Sequence, residues 1–98
     1  MSFRVKIIPL VRRRIISWNL PDAILVEIHL RLNDRLSENP SQYLHRTRVP
    51  FDGMEYSFSI IDPDNRLCEH LCFFQVIYSQ DEEELFVVNA SYVRRIGM

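Results

Sequence analysis

Two cysteines flank a histidine in the segment CEHLC, which places Cys68, His70 and Cys72 at two-residue spacing. Thiolates and imidazoles are ligands that zinc prefers, so a metal site is the first hypothesis to weigh. If this segment is a β-strand, however, the two sulfurs lie roughly 13 Å apart, and His70 points to the same side as both. A closed site needs two more ligands, and His29 and His45 lie in unrelated contexts. The sequence therefore predicts no metal site and favours Cys72 as a small core residue.

The charged residues are unevenly distributed along the chain. Residues 1–48 carry nine Lys or Arg and four acidic residues, whereas residues 49–98 carry three and nine. Eleven of the twelve cations are arginine, which suits bidentate contacts with phosphate or carboxylate, although a GC-rich genome would give the same bias. A basic half could face a phosphate backbone. The net charge of −1 predicts weaker long-range steering than that of a strongly basic RNA-binding protein.

Length and composition predict one globular domain spanning residues 1–98. Hydrophobic residues make up 47% and charged residues 26% of the chain, which excludes a disordered or low-complexity protein. No segment approaches the roughly 20 apolar residues of a membrane span, and the first residues lack the apolar region of a secretory signal. We therefore expect a cytoplasmic protein without a cofactor.

The first half of the chain predicts one strand and two helices. Residues 3–7 alternate between apolar and basic side chains, as in a half-buried strand, and Pro9 then opens a helix that runs through Trp18. A second helix extends from Pro21 to a stop at Asn39, and the short connection favours an antiparallel helical hairpin. Its buried stripe is expected to comprise Leu25, Ile28, Leu32 and Leu36.

The second half predicts three consecutive strands. Residues 41–53 are interpreted as a loop or a frayed helix extension, and residues 54–61 then alternate cleanly between apolar and polar side chains. A type I turn over Asp62–Asn65 leads to a strand that is apolar on both faces, centred on residues 70–78. The polar residues 79–82 form a hairpin loop before the last strand.

These elements predict a two-layer α+β domain of order β-α-α-β-β-β. The two helices cover one face of the sheet, the last three strands form an antiparallel meander, and the first strand pairs in parallel with one of them. The uncovered face is expected to carry Glu55, Ser57, Ser59, Leu71, Phe73, Gln75, Ile77, Leu85, Val87, Asn89 and Ser91.

The order of elements and the string FQVIYSQDEEELFVVNASYVRR resemble the RelE/ParE toxin superfamily of bacterial toxin–antitoxin systems. The resemblance covers nearly the whole chain in layout and the last third in motif. The matching positions are Phe74, Gln75, Val76, Ile77 and Tyr78 on the third strand and Tyr92, Arg94 and Arg95 near the end.

The resemblance implies a reaction and a set of candidate residues. Ribosome-dependent members cleave mRNA in the ribosomal A site, where the 2′-hydroxyl attacks its own phosphate and cations stabilise the transition state. The family's cation on the third strand falls at Gln75, which is left as an uncharged substrate contact. The other candidates are Arg94 and Arg95 for the phosphate, Arg46 and Arg48 for binding, and Tyr92, Tyr78 or Glu55 for proton transfer.

Two hypotheses of different classes follow from this pattern. In the first, the chain is a toxin-like mRNA endoribonuclease that acts on the ribosome with a rearranged site. In the second, it is a non-catalytic interaction module whose outer sheet face is covered by a second copy or an antitoxin, and the missing cation at Gln75 favours this reading. A gyrase-directed toxin is implied by the superfamily alone. The apolar row expected on that face comprises Leu71, Phe73, Ile77, Leu85 and Val87.

Overall fold

The computed structural model describes residues 3–46, 54–79 and 83–97 and has the predicted α+β architecture. Among these residues, the helices are too short or too polar to span a lipid bilayer. In chain order the elements are β1 (Arg4–Ile7), α1 (Pro9–Ser17), α2 (Asp22–Leu30), a π-helical segment (Arg31–Arg35), α3 (Leu36–Glu38), α4 (Pro40–Tyr43), β2 (His45–Arg46), β3 (Met54–Ile61), β4 (Cys68–Ser79) and β5 (Glu84–Ile96).

The strands form one mixed sheet in the order β1-β5-β4-β3-β2. Strand β1 pairs in parallel with β5, and the other pairs are antiparallel, so the predicted meander and the return of the first strand are confirmed. The two-residue strand β2 was not predicted and extends the sheet beyond β3. Of the predicted loop 79–82, Ser79 belongs to β4, and the other three residues lie outside the described ranges.

Proline and asparagine set the boundaries between the first two helices. Helix α1 begins at Pro9, as predicted, because the fixed φ of proline suits the first helical position. After Trp18 the chain turns at Asn19, which has a φ of 53°, a conformation that asparagine adopts more readily than most residues. Pro21 occupies the N-cap position, so α2 begins one residue later than predicted, and Asp22 places a negative charge in its first turn, where the helix dipole favours it.

The second helical region continues almost without interruption to the stop predicted at Asn39. Glu27 and Arg31, four residues apart in this region, form an ion pair with 2.9 Å between Oε1 and Nε. Residues 41–43, predicted as a loop or a frayed helix extension, belong to α4 and so agree with the helical alternative, whereas residues 45–46 form β2 and residues 47–53 lie outside the described part of the chain.

The core lies between the helices and one face of the sheet. Within α2 and its continuation, Ile28, Leu32 and Leu36 are fully buried as predicted, whereas Leu25 is only partly buried and Ile24 lies deeper. The sheet contributes a fully buried aromatic ring and several small or branched side chains. Burial raises the pKa of the Cys72 thiol to about 11, which keeps this side chain neutral. The fully buried strand residues of this core cluster are Cys72, Phe74, Val76, Leu85 and Val87.

A β-bulge in β5 overturns part of the predicted outer face. Gln75 pairs with Asn89 but its neighbour Val76 pairs with Val87, so Val88 is an extra residue in β5. One extra residue reverses which face the following side chains point to. Leu85 and Val87 therefore lie in the core at 0% exposure, and their assignment to the open face was wrong.

Most of the remaining open-face prediction agrees with the structure. Leu71, Phe73 and Gln75 are partly exposed, and Ile77 is exposed at 49%. Beyond the bulge, β5 adds Val93 to this apolar row, exposed at 51% and paired in register with Leu71. The open face therefore has an apolar row, to which β5 contributes Val93 in place of the predicted Leu85 and Val87.

Candidate functional site

Three segments bring a polar cluster together at one end of the covered face. In the antiparallel registers of the sheet, His70 lies opposite Ile60 on β3 and opposite Arg94 on β5. Asp62 comes directly after β3, at the start of the predicted turn. The backbone N–H of Asn65 donates to the Asp62 carbonyl across 3.4 Å, which agrees with the turn expected there.

His70 is the centre of this cluster, because both of its ring nitrogens have hydrogen-bond partners. Its Nδ1 lies 2.6 Å from Tyr92 Oη, and its Nε2 lies 2.8 Å from Asp62 Oδ2. The His70 residue is 3% exposed, and the Asp62 side chain 14%. The backbone N–H of Asp64 donates to Asp62 Oδ1 across 2.8 Å and fixes the carboxylate. Three side chains from three segments are thus held in one chain of hydrogen bonds.

The cluster also determines which groups carry protons. The hydrogen bond from His70 is the main cause that lowers the pKa of Asp62, so its carboxylate is ionised and accepts from Nε2. Burial raises the pKa of Tyr92, so its phenol keeps its proton near neutral pH. When the imidazole is neutral, Nε2 carries the proton and Nδ1 accepts from the Tyr92 hydroxyl.

Arg94 adds a positive charge beside this network. Its Nε donates to Cys68 Sγ across 3.3 Å, and this contact raises the pKa of Arg94 above its ordinary value. The guanidinium is therefore permanently charged. Cys68 is fully buried, and its sulfur lies 4.0 Å from His70 Nε2.

An open cleft of about 330 Å³ gives access to the cluster. Trp18 stacks on Tyr92 with their ring centroids 5.2 Å apart, and the same connection between α1 and α2 supplies the rest of one wall. Four polar residues described above supply the opposite side. The residues that line the cleft are Trp18, Asn19, Leu20, Pro21, Asp62, His70, Tyr92 and Arg94.

The structure separates the residues that the sequence analysis had grouped. Tyr92 and Arg94 line the same cleft, but Arg95 pairs with Glu69 at 2.6 Å. Glu55 lies opposite Gln75 on the open face. Only the backbones of Arg46 in β2 and Tyr78 in β4 are described, and Arg48 lies outside the described residues.

On the open face, Gln75 belongs to a separate hydrogen-bond network. Asn89 Nδ2 donates to Gln75 Oε1 across 2.8 Å, and Arg14 donates to Asn89 Oδ1 and to the Ala90 carbonyl, the latter across 3.2 Å. Arg14 thus places a guanidinium one side chain away from Gln75.

Sequence reasoning missed Asp62 and His70 as site residues. Asp62 was assigned only to a turn, and His70 was set aside with the metal hypothesis. The sequence nevertheless contained information about their position. The predicted turn at Asp62 and the predicted hairpin near residue 80 limit the possible registers of β3, β4 and β5, and these registers determine which residues lie beside His70.

The fold is similar to that of the RelE2 toxin in the crystal structure of the toxin–antitoxin complex RelBE2 from Mycobacterium tuberculosis. The TM-score is 0.64 at 16% sequence identity, and the match covers 95% of this chain and 100% of that chain. No family model and no curated protein sequence matches the chain. The chain therefore has a RelE-like fold, as its sequence resemblance predicted.

Proposed function

We propose that this chain is a RelE/ParE-like toxin-family protein that cleaves mRNA on the ribosome through the Tyr92 and Arg94 cleft. The observation that carries this proposal is the Tyr92 hydroxyl, held by buried His70 at the wall of an open cleft that a permanent cation also lines. The rearranged site thus lies at the covered end of the sheet and not on the open face.

The hydrogen bonds support a specific transfer of protons. When the RNA 2′-hydroxyl attacks its adjacent phosphorus, its proton passes to Tyr92 while Tyr92 passes its own proton to His70 Nδ1. The Asp62 carboxylate stabilises the imidazolium that forms, since it already accepts from Nε2. The bond from phosphorus to the 5′-oxygen breaks, and that oxygen takes a proton from solvent, which leaves a 2′,3′-cyclic phosphate.

Arg94 has a separate role in this scheme. Negative charge increases on the phosphoryl oxygens as the 2′-oxygen attacks, and a positioned guanidinium stabilises that charge. Phosphate geometry also suits the planar, bidentate donors of arginine. The positive charge that the family reaction needs is then supplied from β5, although position 75 is glutamine.

Neighbouring arginines on opposite faces of β5 provide a matched test. Arg94 lines the cleft, whereas Arg95 is paired with Glu69 on the other face. Induced expression of the native chain is expected to arrest growth and to leave cleaved mRNA in polysomes. We expect Arg94→Ala to abolish both effects and Arg95→Ala to retain both. The proposal is overturned if the native chain, expressed at verified levels, leaves growth and mRNA intact, or if the two variants behave alike.

The open face favours a second candidate function, a protein-interaction module. Ile77 and Val93 are 49% and 51% exposed in one apolar row with Leu71 and Phe73, and such a row favours a partner. An antitoxin or a second copy of the chain is the partner that the resemblance implies. If this is the function, Ile77→Asp with Val93→Asp should abolish complex formation in light scattering, and Arg94→Ala should leave it unchanged.

A further inference from the structure

We propose that Asp62, Cys68 and His70 form a zinc-binding site at the inner end of the cleft. One ligand atom from each residue lies within 4.8 Å of the other two. Cys68 is fully buried and His70 is 3% exposed, whereas Asp62 stands at the mouth. The proposal concerns metal binding alone, and because the ion would occupy His70 Nε2 and Asp62, the metal-bound chain would not carry out the proton transfer proposed above.

The distances between the donor atoms suit a tetrahedral zinc ion. Bonds of about 2.0–2.3 Å to nitrogen, oxygen and sulfur place neighbouring ligand atoms roughly 3.3–3.7 Å apart. His70 Nε2 lies 2.8 Å from Asp62 Oδ2 and 4.0 Å from Cys68 Sγ. These two distances differ from the tetrahedral spacing by roughly half an ångström each, in opposite directions.

The neighbours of the three ligands also suit a metal site. The Tyr92 hydroxyl holds His70 Nδ1 and leaves Nε2 facing Asp62 and Cys68, which is how outer contacts orient metal-binding histidines. Arg94 Nε donates to Cys68 Sγ across 3.3 Å, which holds the sulfur on the same side as His70 Nε2. On binding, the imidazole proton moves from Nε2 to Nδ1 by exchange with solvent, so that the neutral ring donates from Nδ1 to Tyr92 Oη, and the Cys68 thiol releases its proton to solvent.

The donor set determines the chemical class of the metal. A thiolate, an imidazole and a carboxylate together suit zinc, whereas magnesium and calcium prefer ligands that are all oxygen. Three protein ligands leave a fourth tetrahedral position, which a water molecule can take. The site is therefore of the open kind.

Cys68 and Cys72 do not share a metal site, as the spacing of a strand predicts. Cys72 is buried in the core cluster, and of the two cysteines Cys68 belongs to the group of donors. Asp62 takes the place of the second sulfur because it follows Ile60, the residue opposite His70, by two positions and therefore points to the same face as His70. Cys72 thus provides a control that removes a buried thiol from the same strand and the same face.

The test uses the full chain, freed of metal with a chelator, and follows two readouts without any activity assay. Zinc chloride should raise the melting temperature, and cobalt(II) should produce a thiolate-to-cobalt charge-transfer band. We expect both effects in the native chain and in Cys72→Ser, and neither in Cys68→Ser. Asp62→Asn keeps an acceptor for the turn, and it should weaken zinc binding about tenfold or more.

Each outcome decides the proposal. Circular dichroism establishes that each variant is folded before metal is added, and Asp62→Asn remains a test if Cys68→Ser does not fold. The proposal is overturned if neither metal produces its effect on the native chain. It is equally overturned if Cys72→Ser loses the cobalt band as Cys68→Ser does, or if Asp62→Asn binds zinc as tightly as the native chain.

Discussion

The two faces of the sheet hold their polar side chains in different ways. At the covered end, His70 is 3% exposed and its partners fix both ring nitrogens. On the open face, Ser57 and Ser59 are exposed to solvent, and the network of Gln75 and Asn89 lies near the surface. Hydrogen bonds are stronger and better ordered where water is excluded. The covered end is therefore better suited to chemistry that requires fixed geometry, and the open face to contacts with a partner.

Adjacent phenylalanines on β4 test the assignment of the two faces. Phe74 is fully buried, with ring centroids 5.7 Å from Phe58 and 6.4 Å from Trp18, whereas Phe73 lies on the open face. We expect Phe74→Ala to lower the free energy of unfolding by about 3–5 kcal/mol, because it leaves a cavity among rings. Phe73→Ala should cost about 1 kcal/mol or less. Urea denaturation measures both, and equal losses would contradict the assignment.

The proposed chemistry can be compared between the faces with two conservative substitutions. Tyr92→Phe removes only the hydroxyl bonded to His70, and we expect RNA cleavage to fall at least about 100-fold. Glu55→Gln on the open face should leave the rate within about twofold, because it lies outside the cleft. Cleavage in a reconstituted translation reaction provides the rates. A loss in Glu55→Gln alone would move the site to the open face.

The connection between α1 and α2 contains strain on the covered side. Asn19 has a φ of 53°, which costs a residue with a Cβ and no local hydrogen bond roughly 1–2 kcal/mol. Asn19→Ala should therefore lower stability by about 1 kcal/mol, and Asn19→Gly should be close to neutral. Thermal denaturation of the two variants distinguishes strain from lost side-chain contacts, since only strain spares the glycine variant.

A buried tyrosine on the covered face should make the stability of the protein depend on pH in alkaline solution, with a smaller effect than those above. Burial is the main cause that raises the pKa of Tyr56, which is 3% exposed. A raised pKa in the folded state gives stability that is complete below the ordinary value of 10.0 and is lost as pH rises through the folded value. The melting temperature of the native chain should thus fall more steeply above pH 10 than that of Tyr56→Phe. Parallel curves would show that Tyr56 titrates normally.

Alternation along single strands predicted most of the sheet but failed at one position in β5. The pattern correctly placed Tyr56 and Ile60 inward and Ser57 outward, because β3 is regular. In β5 the bulge at Val88 reverses the alternation, and no residue type there indicates it. A bulge depends on pairing with the neighbouring strand, so a period of two within one strand could not reveal it.

Part of the candidate site could be predicted from the sequence. The family resemblance drew attention to Tyr92 and Arg94, which the structure brings to one cleft. It also suggested Glu55 and Arg95, which lie elsewhere, because their types fit the reaction but their faces do not. The role of His70 depends on the registers of two strand pairs, and these are tertiary information.

The stacking of Trp18 on Tyr92 places an intrinsic fluorophore in the cleft. Trp18 is the single tryptophan of the sequence, and its indole lies in the wall of the cleft. Its emission should therefore report directly on whatever enters, without an attached dye and without background from a second indole. A ligand that disturbs the stacking of Trp18 on Tyr92 should therefore change the intensity or wavelength of this emission.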